Sequence, residues 1–162
     1  MKQVQGNLIT MAIEGQFDII VHGCNINCCM GSGIAKEIAD RLPQAVEADN
    51  RTIAGDMRKM GNFTYATYTT GENEQHDGFG IINLYTQATM GRKGVHVDYD
   101  ALERGFMNLK MIYDLDPNFP PFRFGIPMIG AGLGGGDWNR IKSIIEDIGF
   151  TDITYVEFDG SK

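Results

Sequence analysis

The stretch FDIIVHGCNINCCMGSGIAKEI, residues 17–38, reads as a short apolar strand, then a loop with one His, two Asn and three Cys, then the start of a helix. All three cysteines of the chain, Cys24, Cys28 and Cys29, fall inside it. An odd number of thiols packed so closely cannot form a disulfide framework and lacks the paired C-x-x-C spacing of zinc sites. With His22 as a fourth ligand, the backbone would be too short to wrap a metal tetrahedrally. The residues are read instead as small side chains that fill space beneath a loop, with no metal and no redox role.

Strand-like runs continue outward from this stretch, at 2–6, 17–22, 63–69, 79–86, 123–129 and 152–158. Helix-like runs lie between them. Ile34, Ile38 and Leu42 recur at four-residue spacing until Pro43 ends the run. Leu102, Phe106 and Leu109 form a stripe over 99–114, and Asp137 stands as N-cap to WNRIKSIIEDI, with Ile141, Ile144, Ile145 and Ile148 on one face. The expected order is β-β-α-(α)-β-β-α-β-α-β. Nearly continuous apolar strands imply a sheet covered on both faces, hence an α/β fold with three α/β/α layers and a central mixed, mostly parallel sheet.

The 162 residues, 43% apolar, suit one domain. The apolar runs are far shorter than the ~20 residues that span a bilayer. The opening MKQVQGNLIT has no basic stretch leading into an apolar core, so no membrane partner and a cytoplasmic location are expected. A net charge of −7 with no basic patch argues against duplex nucleic acid as a partner. Small anions remain compatible with that charge, because backbone amides bind phosphate without Lys or Arg.

Two of the glycine clusters, MGSG at 30–33 and GAGLGGGDW at 130–138, sit where a strand hands over to a helix. Ligands of open α/β sheets bind at such turns, so the pair suggests a diphosphate held between two loops. Gly130, Gly132 and Gly135 also satisfy G-x-G-x-x-G, with Glu157 about 20 residues on. Their position near the end of the chain leaves no room for the second mononucleotide half that a dinucleotide fold requires. Glycines needed only for tight packing would explain one loop better than two.

The segments DIIVHGCNINCCMGSGIAKEI (18–38) and IPMIGAGLGGGDW (126–138), with GNLI (6–9), NLYTQ (83–87) and YDAL (99–102), keep one order and spacing across the chain. Together they resemble the signatures of macro domains. The resemblance implies a single macro domain over 1–162 that binds ADP-ribose or its derivatives and needs no cofactor. It places Asn25 on the distal ribose with Asn27 beside it. Gly31, Ser32, Gly33 and Ile34 then line the ribose and diphosphate. Gly130, Ala131, Gly132, Leu133, Gly134, Gly135 and Gly136 form the opposite wall. Asn7, with Leu8 next to it, stands where the family has an Asp that accepts from the adenine amine; an Asn carbonyl also accepts, without charge assistance. Each Asn has a second reading, as a cap of its own turn.

His22 carries the resemblance toward one branch, since H-x-C-N is similar to the ADP-ribose-1″-phosphate phosphatases. That implies removal of the 1″-phosphate, with His22, Asn25 and Asp137 as the catalytic set and an imidazole whose ordinary pKa of about 6.5 suits proton transfer. The same His also reads as a partner for a strand-end carbonyl, and Asp137 as a helix cap. A second branch, the ADP-ribosyl hydrolases acting on protein or nucleic acid, uses a Lys and an Asp that align with Gln87 and Gly134 here. A third option is a module that only binds ADP-ribosylated macromolecules. His96 and Asp98, just before a helix, are further candidates for reaching the site.

Overall fold

In the computed structural model, residues 1–69 and 78–162 are described. Strand β1 (Lys2–Gly6) leads into helix α1 (Leu8–Ile13), then β2 (Ile19–Asn25), α2 (Gly33–Arg41) and α3 (Pro43–Asn50). A 3₁₀ turn at Met57–Lys59 precedes β3 (Phe63–Thr69) and β4 (Gly78–Gln87). The remainder is α4 (Tyr99–Tyr113), β5 (Phe124–Ile126), α5 (Trp138–Ile148) and β6 (Ile153–Phe158).

The six strands form one sheet in the order β1-β6-β5-β2-β4-β3. Every pairing is parallel except β3 with β4, so the sheet is mixed and mostly parallel. Side chains alternate across it. On β2, Ile19 and Val21 join Leu102 and Phe106 of α4 and Ile141 and Ile145 of α5 in one core. Ile20 joins Leu8 and Ile9 of α1, Ile38 of α2 and Ala45 of α3 in the other. The two-residue period of a strand thus splits one apolar run between two helical layers, giving the expected α/β/α sandwich.

Three details differ from the sequence reading, and one of them decides the site. Helix α1 is missing from the expected order; it is six residues long with Leu8, Ile9 and Ala12 all buried, too short to show a helical period. Strand β5 stops at Ile126, where Pro127 removes the next ladder donor. Strand β2, expected to end at His22, runs on to Asn25. His22 is therefore mid-strand, in register with Asn83 of β4, rather than at the lip of a loop. Pro43 both ends α2 and opens α3 at its first position, where a missing N–H costs nothing.

Candidate functional site

A cavity of about 1040 Å³ runs over the carboxyl ends of the parallel strands. Sheet order sets its layout. One end lies over β1 and β6, with Asn7, Leu8, Glu157 and Phe158; the middle lies over β5 and β2; the far end lies at β4, with Gln87, Met90 and Arg92. Five strands at about 4.8 Å spacing make this trough about 19 Å long. The chain leaves β2 for α2 on one face of the sheet and β5 for α5 on the other, so the trough sits where the winding reverses.

The middle of the trough is walled by backbone amides. Ser32 is the N-cap of α2, yet its side chain makes no capping hydrogen bond. The N–H groups of Gly33, Ile34 and Ala35 donate to no group among the described residues. Across the cavity, Gly132, Leu133 and Gly134 likewise donate to none, while the Gly134 carbonyl is turned away to accept from His96 N at 2.7 Å and Val97 N at 3.1 Å. The two loops nearly touch: a Cβ on Gly33 would lie 3.4 Å from Leu133 Cδ1. Gly130 turns the second loop with φ +74, where a Cβ would meet Val97 and Ile141. Unpaired N–H groups on two walls, one at a helix N-terminus, make a positive concavity built without side-chain cations.

Of the residues singled out by sequence, Asn7, Leu8, Asn25, Ser32, Gly33, Ile34, Gly130, Gly132, Leu133 and Gly134 line this cavity. Asn27, Gly31, Ala131, Gly135 and Gly136 do not. Asn27 donates through Nδ2 to Ala88 O at 3.2 Å. Gly136 donates to Gly130 O at 2.8 Å, and a Cβ on Gly135 would collide with Gly94 O; these glycines serve close packing. Asn25 faces the cavity while tying its own turn, donating to Cys29 O at 2.9 Å and accepting from Asn27 N at 2.9 Å.

Of the groups nominated for catalysis, only Asn25 lines the cavity; the others lie elsewhere. His22 is fully buried on the α3 side of the sheet and does not line the cavity. Its Nε2 lies 2.6 Å from Asn83 Oδ1, and Asn83 in turn donates to Ala45 O and Thr64 Oγ1. Burial pushes its pKa down to about 4, against the opposing pull of that hydrogen bond and of Asp49. Asp137 accepts from Asn139 N and Arg140 N as the cap of α5. Asp98 likewise caps α4, and His96 is held between Thr89 Oγ1 and Lys93 O, both at 2.8 Å. None of these three lines the cavity.

The cysteines divide. Cys24 is buried with its thiol pKa raised by burial; Cys28, half-buried at φ +53, lies near Asp49 O and Lys59 Nζ; Cys29 is exposed on the cavity wall. Among the described residues no three of His, Cys, Asp or Glu are grouped as a metal site, and no helix is long and apolar enough to cross a membrane. Sequence reasoning missed Glu37, Arg92 and Phe158 on the cavity wall. Glu37 carries a legible signal, one helical turn after Gly33 and so on the same face of α2. Phe158 sits at the carboxyl end of the last strand, again a ligand position by topology.

An uncharacterized 17.5 kDa protein from the tk-vs intergenic region of Enterobacteria phage T4 is 32% identical over 148 residues, 90% of this chain and 88% of that protein. The chain belongs to that protein's family. Among solved structures, the macrodomain of Thermus aquaticus DarG superposes with a TM-score of 0.65 at 21% identity, over 98% of this chain and 97% of that one. Thermosipho africanus DarTG in complex with ADP-ribose superposes at 0.68 with 14% identity, over 99% of this chain and 42% of that one. The fold is therefore the macrodomain fold. No protein-family model matches the chain.

Proposed function

We propose that this macrodomain binds ADP-ribose, presented as an ADP-ribosyl group on a macromolecule. The observation that carries the reading is the pair of unpaired amide walls at the middle of the trough, which suits a diphosphate at the centre of a long ligand. Phe158, 65% exposed at the β1/β6 end, offers a stacking face for a base. Asn25 at the end of β2 and Gln87 at the end of the neighbouring β4 offer amides to a second ribose. That end is open, with Cys29, Gly91 and Arg92 exposed, which leaves a path for a polymer attached to the distal sugar.

Removal of a 1″-phosphate is the finer reading suggested by H-x-C-N, but its imidazole is fully buried and does not line the cavity. Binding needs no such group. Calorimetry with ADP-ribose tests the reading directly: binding is expected, and no heat at millimolar ligand would sink it. Incubation with ADP-ribose-1″-phosphate and with ADP-ribosylated protein sorts the chemistry. Retention of modified protein without product is expected; released phosphate would restore the phosphatase, and released ADP-ribose would make the protein a hydrolase.

A further inference from the structure

The β1/β6 end of the cavity holds a carboxylate whose partners leave half of it open. Glu37 Oε1 accepts from Asn7 Nδ2 at 2.8 Å and from Arg41 Nη1 at 3.2 Å, while Oε2 has no partner among the described residues. Asn7 is saturated. Its Oδ1 accepts from Thr10 N at 3.0 Å and Arg41 Nη1 at 3.3 Å, and its Nδ2 also donates to Ser161 O at 3.0 Å. With two donors and two acceptor sites in use and 4% of its surface exposed, Asn7 has nothing left for a ligand.

We infer that Glu37, not Asn7, reads the base, and that it selects a purine carrying an exocyclic amine. This rests on the ADP-ribose reading above. A carboxylate held in an ion pair accepts and cannot donate. A 6-amino group facing Oε2 satisfies it, whereas a 6-oxo group sets two acceptors against each other in a partly dry pocket. Sites built to bond a ligand N–H reject the analogue lacking it more strongly than apolar pockets reject a change of size. Phe158 supplies stacking that is blind to this difference, so the preference falls to Glu37.

The test measures binding of ADP-ribose and of its hypoxanthine counterpart, inosine diphosphate ribose, to the wild type and to Glu37→Gln, with thermal melting to verify folding. The wild type is expected to prefer ADP-ribose by about tenfold or more, the scale of one charged hydrogen bond. In Glu37→Gln the preference should fall to within about threefold, because an amide can turn either its oxygen or its nitrogen to the base. Should Glu37→Gln not fold, Glu37→Asp, which keeps the charge and shortens the reach, should also lose the preference. A wild type that binds both ligands equally, or a folded Glu37→Gln that keeps its preference, overturns the assignment while leaving ADP-ribose binding intact. A wild type that binds neither overturns the ADP-ribose reading and this one with it.

Discussion

His22 shows how one residue's meaning changes when its strand is extended by three positions. In the core it is a neutral hydrogen-bonding wedge between β2, β4 and α3, so His22→Ala should leave ADP-ribose affinity within about twofold. It should cost stability, because Asn83 Oδ1 loses its donor; an unsatisfied buried group costs about 1–3 kcal/mol. The depressed pKa adds a pH signature. Below pH 6.5 the unfolded chain protonates this imidazole, while the folded protein holds it neutral until about pH 4. The unfolded state therefore binds the extra proton, and stability present above pH 6.5 is lost as pH falls toward 4. The slope of a single proton is about 1.4 kcal/mol per pH unit. Urea unfolding of the wild type and of His22→Asn between pH 7 and 4.5 should show this slope in their difference; parallel curves would mean the imidazole titrates normally.

Among the elements, the unpaired start of α2 and the loop after β5 matter most. A Cβ on Gly132 would meet nothing within 4 Å, so the position tolerates a side chain structurally and points into the trough. Gly132→Glu should melt within a few degrees of wild type and lose ADP-ribose binding by a hundredfold or more, since a carboxylate would compete for the amides and repel the diphosphate. Normal binding by this variant would put the diphosphate elsewhere. By contrast, Gly136 is pinned against Val97 and Gly130 O, so Gly136→Ala should destabilise the fold directly. Glycines of one short run thus have opposite jobs, Gly132 facing the cavity and Gly136 the core.

At the scale of the whole molecule, an acidic chain is expected to hold an anion because the positive potential comes from oriented peptide groups at the sheet's switch point. ADP-ribose affinity should consequently fall by less than about threefold between 50 and 300 mM salt, measured by calorimetry. A steep dependence would give the dominant role to Arg92. The sequence alone determined what depends on neighbours along the chain: the nearly continuous apolar runs of β2 and β4, the stripes of α4 and α5, the Asp137 cap, and glycines at both strand-to-helix turns. It did not disclose α1, whose single turn and a half carries no period, nor the end of β2, because Gly23–Asn25 resembles a loop in composition and pairs with β4 only through partners 61 or 62 residues away. Tertiary structure alone decided which side of the sheet His22 faces. It also joined Asn7, Glu37 and Arg41 from β1's end and α2 into one cluster, and separated the glycines that wall the cavity from those that pack. Each of these depends on register and crossover geometry, which are set by burial of the whole sheet between two helical layers and leave no mark on any short stretch of sequence.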